Sequence, residues 1–204
     1  MYLLFIKPIM DFIVSLIVLI LFAPILLSTI IILIIINNDY PFFLQPRPGK
    51  NGKIFKVIKF KTMNEKKNAN GVLLPPAKRI TPIGKFIRST SIDEMPQLIN
   101  VLKGDMSLVG PRPLRVEYLS HYSHFQARRH EVKPGITGWA QVNGRNIVEW
   151  EDRFKLDVWY VDNQSFWLDM KIIILTICKV IIKDGVNQTE DKTMEPFKGI
   201  KLNG

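Results

Sequence analysis

Two adjacent carboxylates, Asp93 and Glu94, stand in the segment Arg88-Ser89-Thr90-Ser91-Ile92-Asp93-Glu94-Met95-Pro96-Gln97-Leu98. The proline after them is placed to open a helix, and helix N-termini offer free N–H groups and a positive dipole end that favour anions. Arg88, five residues upstream, has the planar fork that suits phosphate oxygens. Carboxylates and an arginine around a divalent cation are a common arrangement for phosphoryl chemistry, and a carboxylate can itself be the nucleophile. The plainer reading, negative charge at the start of an ordinary helix, holds for most such pairs; Arg88 shifts the balance toward chemistry.

Two rigid turns present further arginines. Gly110-Pro111-Arg112-Pro113 fixes the backbone on both sides of Arg112. Pro134-Gly135-Ile136-Thr137-Gly138-Trp139-Ala140-Gln141-Val142-Asn143-Gly144-Arg145 has glycines that permit close backbone approach and ends on a second arginine. Each alone fits a structural loop with a solvated arginine equally well. The chain has neither a P-loop nor a G-x-G-x-x-G run. His121 and His124 lie three apart on one helical face, but no carboxylate adjoins them and they are not read as metal ligands. Cys178, the only cysteine, sits among isoleucines and reads as a buried thiol. A single cysteine excludes an internal disulfide framework and a Cys-based zinc cluster.

Several elements must position these groups. Ile54–Lys61 mixes apolar and basic residues as a short strand does. Residues 64–82 are polar, with Asn-Gly and Pro-Pro, and read as a surface loop. Helices are expected over 83–89, 96–102, 114–129 and 147–163, with Gly104 ending the second. Residues 166–183 carry Lys171, Lys179 and Lys183 near one face of an apolar helix. That pattern fits a helix lying at a bilayer surface with its lysines toward phosphates, and nearly as well a core helix. The tail 185–204 is polar and reads as loose. The fold class is therefore α+β, mostly helical.

Residues 12–36 contain no charged side chain, and Ser15, Ser28 and Thr29 are the only polar ones. As a straight helix this run would measure about 37 Å, enough to cross a hydrocarbon core. It is too long for a signal peptide's apolar region and leads into Asn37-Asn38-Asp39. Pro24, in its middle, kinks or breaks a helix. A kinked span and a helix–break–helix dipping into one leaflet remain equally open on this pattern, the halves of the latter being about 12 residues and too short to cross. Lys7 before the run and Arg47, Lys50, Lys53 and Lys56 after it fit both flanks on the cytoplasmic side. The expected organisation is a membrane segment over 1–36, a catalytic domain over 37–184 that includes helix 166–183, and the tail 185–204.

The 204 residues are 47% hydrophobic with a formal net charge of +10, which excludes a disordered chain. Lys7 and Asp11 are the only charges in residues 1–36, so the remaining domain carries the whole excess. A basic domain tied to a membrane suits lipid phosphates or phosphorylated ligands. No zinc-finger spacing or RNP-like motif supports nucleic acid as a partner.

Taken together, Pro24 in its apolar segment, Phe60-Lys61-Thr62-Met63, Arg88 with Ser91–Leu98, Lys103-Gly104-Asp105-Met106-Ser107, Gly110–Pro113 and Pro134–Arg145 give the chain its resemblance. It resembles the small monotopic polyprenyl-phosphate phosphoglycosyl transferases of the bacterial sugar transferase family. The resemblance spans Asp11 to Asp169. It implies transfer of a phosphosugar from a UDP-sugar to a polyprenyl phosphate such as undecaprenyl phosphate, with release of UMP, use of Mg²⁺ and a covalent enzyme intermediate. It implies that Asp93 is the nucleophile and touches the metal, and that Glu94 is its acidic partner. Arg88 would hold a phosphate, while Pro111, Arg112, Pro113 and Arg145 would serve the nucleotide side. Asp157 matches a family acidic position. The segment broken at Ala23-Pro24 would be re-entrant, placing the domain on the inner leaflet of the bacterial cytoplasmic membrane. Ala23 stands where relatives often have serine. A pyrophosphate hydrolase and a basic membrane adaptor are the rival classes. Sugar identity and oligomeric state stay open.

Overall fold

A computed structural model describes residues 1–143, 149–182, 197 and 199. The chain starts helical at Tyr2, passes through one π-type turn, and continues as helix α1, Lys7–Leu21. Phe22 leaves helical geometry (φ −94°, ψ 5°), and a second helix, α2, Ala23–Asn37, starts with Pro24 in its first turn. The break thus falls where proline lacks the N–H that a continuous helix requires. The halves are unequal, contrary to the expectation. Tyr2–Leu21 is helical for 20 residues, long and apolar enough to cross a membrane by itself, whereas α2 is shorter.

The reason α1 reaches so far toward the N-terminus is a polar stripe. Lys7, Asp11 and Ser15, spaced four apart, are all buried. Lys7 donates to Asp169 (2.5 Å) and to the Val109 carbonyl (3.1 Å). Asp11 accepts from the Ser107 hydroxyl (2.6 Å) and the Leu108 N–H (3.2 Å). α2 docks differently, through Leu33, which is fully buried against Phe60 and Ile87. The other faces of both helices expose Ile13, Leu16, Ile17, Ile20 and Leu21 on α1 and Ile31, Ile32, Ile34 and Ile35 on α2. Such a continuous apolar surface does not suit water.

Strands β1 (Phe42–Pro48) and β2 (Ile54–Phe60) form an antiparallel hairpin with Phe42 opposite Phe60. A short turn, α3 (Pro76–Arg79), and helix α4 (Pro82–Ser89) follow; Thr81 caps α4 by accepting from the Gly84 N–H. Helix α5, Gln97–Leu102, lies against β2. The buried Asn100 side chain accepts from Ile58 N–H (3.0 Å) and donates to the Lys56 carbonyl (2.8 Å), completing the free edge of that strand. Strands β3 (Ser107–Val109) and β4 (Gly135–Thr137) pair in parallel. Helices α7 (Trp139–Asn143), α8 (Trp150–Asp162) and α9 (Phe166–Ile182) complete the order. The central core joins Leu98, Leu108, Val109, Val142, Tyr160 and Ile172. The mixed, mostly helical class agrees with the sequence.

Four expectations change. Residues 114–129 are not one helix: a 3₁₀ turn over Val116–His121 gives way to an extended Tyr122, and a short helix α6 (His124–Ala127) restarts. Ser123 and Gln126 cap that start reciprocally, which forces the preceding residue out of the helix. Two of the α9 lysines have protein partners, although Lys171 is itself exposed. Lys171 lies 5.4 Å from the Trp139 ring centre, and Lys179 donates to the Gln141 and Val142 carbonyls. Cys178 on the same helix is exposed. Finally Phe197, in the expected loose tail, is buried among Leu114, Tyr118 and Phe154. Lys183 lies outside the described residues.

Candidate active site

The backbone turns sharply just before the acidic pair. Ser91 adopts the left-handed conformation (φ 57°, ψ 14°), and Ile92–Glu94 then form one 3₁₀ turn leading into α5. A non-glycine residue there costs roughly 1–2 kcal/mol and is a mark of functional loops. The effect is to lift Asp93 and Glu94 onto the same rim as the arginines.

Glu94 is held fast. Its Oε1 accepts from Lys59 Nζ on β2 (2.6 Å), and both its oxygens accept from the Arg112 guanidinium. Burial pushes this carboxyl up, but the Arg112 and Lys59 charges and hydrogen bonds outweigh it and hold the group far below the usual carboxylate range. Asp93 is the opposite case. It is partly buried and makes no hydrogen bond or ion pair with another described residue. Burial raises its pKa first and the Glu94 charge second, with Lys59, Arg88 and Arg112 pulling the other way. A desolvated, unpartnered carboxylate flanked by cations is suited to attack an electrophilic phosphorus.

Arg88 closes α4, and its Nε donates to Thr62 Oγ1 (2.8 Å). That contact leaves the outer fork of the guanidinium available to an anion. Arg112 is set by backbone interlock. Gly110 N–H donates to the Thr137 carbonyl (2.9 Å) and Gly135 N–H to the Pro111 carbonyl (3.1 Å). A Cβ on Gly135 would lie 2.1 Å from the Gly110 nitrogen, so the two glycine-containing turns cross at a distance only glycine allows. Pro111 is buried and Pro113 partly so; the prolines serve the turn. From behind, Arg129 donates to the Arg112 carbonyl (2.7 Å).

Arg129 and Asp157 form a buried pair at 2.7 Å, each almost wholly excluded from solvent. Asp157 thus stands behind the site as a support, and the structure does not bring it to the rim with Asp93. Arg145 falls outside the described residues. The structure gathers Arg88, Asp93, Glu94 and Arg112. It adds Lys59 and Arg129, and it places Thr62 of the Phe60–Met63 motif against Arg88. Lys59 looks like its neighbours Lys56 and Lys61 in a basic strand, and only the fold distinguishes it.

A cleft of about 340 Å³ opens beside the pair; Ser91, Glu94 and Arg112 line it together with Val18, Val142 and Val180. Among the described residues no group of three His, Cys, Asp or Glu side chains could cage a metal ion. With both Glu94 oxygens engaged, Asp93 is the carboxylate left to meet a cation. That donor set fits Mg²⁺ held largely by substrate phosphates and water, the usual manner for this ion.

Asp93, without a partner among the described residues, lies with Lys59, Arg88 and Arg112 beside helices that expose apolar side chains. The family described as "Bacterial sugar transferase" matches residues 2–183, and the chain belongs to that family. It is 55% identical to the sugar transferase EpsL of Bacillus subtilis (strain 168), over 87% of this chain and 88% of that one. It is 42% identical to the UDP-glucose:undecaprenyl-phosphate glucose-1-phosphate transferase of Klebsiella pneumoniae, over 86% of this chain and 40% of the other. Against the UDP-N-acetylgalactosamine-undecaprenyl-phosphate N-acetylgalactosaminephosphotransferase of Aeromonas hydrophila the identity is 38%, over 89% and 45%. The chain thus spans nearly the whole of the first relative and under half of the other two.

Proposed function

We propose that this chain is a glycosyl-1-phosphate transferase that moves a phosphosugar from a UDP-sugar to a polyprenyl phosphate, undecaprenyl phosphate being the natural candidate. The two relatives above are named for that kind of reaction. The observation that carries the reading is the asymmetry of the pair: Glu94 is neutralised by Lys59 and Arg112, while Asp93 has no hydrogen-bond or ion-pair partner among the described residues.

In this reading an Asp93 oxygen attacks the β-phosphorus of the UDP-sugar. The bond from that phosphorus to the bridging oxygen breaks, and UMP leaves with the electron pair. A phosphate oxygen of the polyprenyl phosphate then attacks the same phosphorus, and the Asp93 carboxylate departs. Arg88 and Arg112 stabilise the charge that spreads over the phosphoryl oxygens, and Arg145 belongs on the nucleotide side. Glu94 keeps Lys59 and Arg112 in place. Bound Mg²⁺ supplies further neutralisation of the diphosphate. One nucleophile serving two bulky substrates in turn predicts ping-pong kinetics.

The apolar surfaces of α1 and α2 support seating in the cytoplasmic membrane from its inner face, with the segment around Ala23-Pro24 re-entrant. Such transfer would start assembly of a lipid-linked glycan. The test is Asp93→Asn, which is expected to abolish UMP release in the presence of UDP-sugar, Mg²⁺ and polyprenyl phosphate while membrane binding persists. Full UMP release by that variant would refute the nucleophile. For topology, tags at both termini should be reached only from the cytoplasm; an externally labelled N-terminus would establish a full span instead.

A further inference from the structure

The cleft beside Glu94 has mixed walls. Ser89, Ser91, Glu94 and Arg112 bring polar groups to it, and Val18, Met95, Leu98, Ile136, Val142 and Val180 give it apolar surface. Most polar groups among these walls are engaged within the protein; the exception is Gln141, whose Nε2 donates to the Ile136 carbonyl while its buried Oε1 has no partner among the described residues. Thr137 and Thr176 bond each other through their hydroxyls (2.7 Å), and Thr176 also donates to the Ile172 carbonyl. Lys179 is spent on the Gln141 and Val142 carbonyls at 3.3 and 2.6 Å. Such walls offer little to a sugar or a nucleotide, whose buried hydroxyls would go unpaired.

The apolar walls are also continuous with the exposed apolar surface. Val18 belongs to α1, whose adjoining Ile17, Ile20 and Leu21 are 57%, 66% and 70% exposed. Val180 belongs to α9, whose Ile177 and Ile181 are 53% and 74% exposed. A cleft that holds Arg112 and Glu94 and is walled by residues of two lipophilic helices matches an amphiphile with an anionic head and an apolar chain.

We propose that this cleft takes the first isoprene units of the polyprenyl phosphate acceptor. Its phosphate lies at the Arg112 end beside Asp93, and its chain leaves between Val18 and Val180 toward the bilayer. The inference rests on the transferase reading above and adds to it the path of the acceptor. The acceptor chain is then recognised by protein as well as dissolved in lipid, and its contacts are separate from those used by the sugar nucleotide.

The experiment separates the two half-reactions. Val180→Trp and Val18→Trp fill the cleft from opposite walls, and Ile181→Trp, on an exposed neighbour outside the cleft, is the control. UMP release in one turnover with UDP-glucose, UDP-galactose or UDP-N-acetylgalactosamine and no acceptor reads the first step. Turnover against undecaprenyl phosphate reads the second. Both cleft variants should keep the first-turnover UMP yield and raise KM for undecaprenyl phosphate at least tenfold, the equivalent of about two lost methylene contacts. The Ile181→Trp control should change neither reading. An unchanged KM for undecaprenyl phosphate in both variants, or an equal loss in the two half-reactions with wild-type-like melting, would overturn the acceptor path. Absence of UMP release from the wild-type chain with every UDP-sugar would instead refute the transferase reading beneath it.

Discussion

The guanidinium of Arg112 grips both carboxylate oxygens of Glu94, and Lys59 shares one of them at 2.6 Å. This joins three separate parts of the chain: strand β2, the turn before α5 and the turn after β3. Asp93 has no hydrogen-bond or ion-pair partner among the described residues. In the proposed mechanism one acid holds cations and its neighbour attacks.

The pH dependence of activity should reveal that division. The Asp93 pKa is raised, first by burial and then by the Glu94 charge, and Lys59 is among the groups that lower it. Asp93 must be ionised to attack, so kcat/KM should fall, as pH falls, at a higher pH than an ordinary carboxylate would give. Lys59→Met removes a cation and should move that acid limb upward. Glu94→Gln removes an anion and should move it downward, though activity drops in both. Limbs moving the same way in both variants would contradict the assignment.

Ser91 offers a test of backbone geometry. Its positive φ sets the acidic turn. Ser91→Gly and Ser91→Asn tolerate that conformation and should keep most activity. Ser91→Val should cost about 1–2 kcal/mol of stability or shift the turn, with kcat falling tenfold or more. Steady-state kinetics and thermal melting of the three variants check this.

Asp157 should behave as a support. It holds Arg129, which in turn holds the Arg112 carbonyl. Asp157→Ala leaves a buried guanidinium unpaired and should destabilise the domain by about 3–5 kcal/mol. A direct nucleotide contact would instead raise KM for the UDP-sugar with melting unchanged, and the two measurements together decide between them.

Phe197 extends the same buttress. Its ring lies 5.0 Å from Phe154 and 5.8 Å from Tyr122, and Arg129 sits 5.8 Å from the Phe154 ring and 6.0 Å from the Tyr122 ring. Phe197→Ala should lower stability by about 3 kcal/mol, in the range for buried aromatic deletions. Phe197→Leu should recover part of it. Denaturant melting of the three proteins is the measurement.

What the sequence disclosed was mostly local. Pro24 marked the helix break, Gly104 the end of α5, and the Ile54–Lys61 alternation strand β2, because each depends on neighbours in the chain. Arg88 was tied to the Asp93-Glu94 pair by its place five residues upstream, whereas the joining of Arg112 to them came only from the family resemblance. What was hidden was non-local. β3 and β4 are only three residues each and pair across 28 positions of register, from Ser107 to Gly135. Lys59 cannot be told from other lysines until β2 meets the acidic turn. The stripe Lys7, Asp11 and Ser15 was visible as spacing, yet its meaning required Asp169 and Ser107. Phe197 gave no signal at all, since one aromatic in a polar tail has no periodicity to read.

The most direct measurement is the mass of the intact protein after brief mixing with a UDP-sugar and Mg²⁺ without acceptor, followed by peptide mapping. The account predicts one added sugar phosphate on Asp93, removed by polyprenyl phosphate and absent from Asp93→Asn. UMP release with no adduct on the protein, or an adduct that persists in Asp93→Asn, would contradict it.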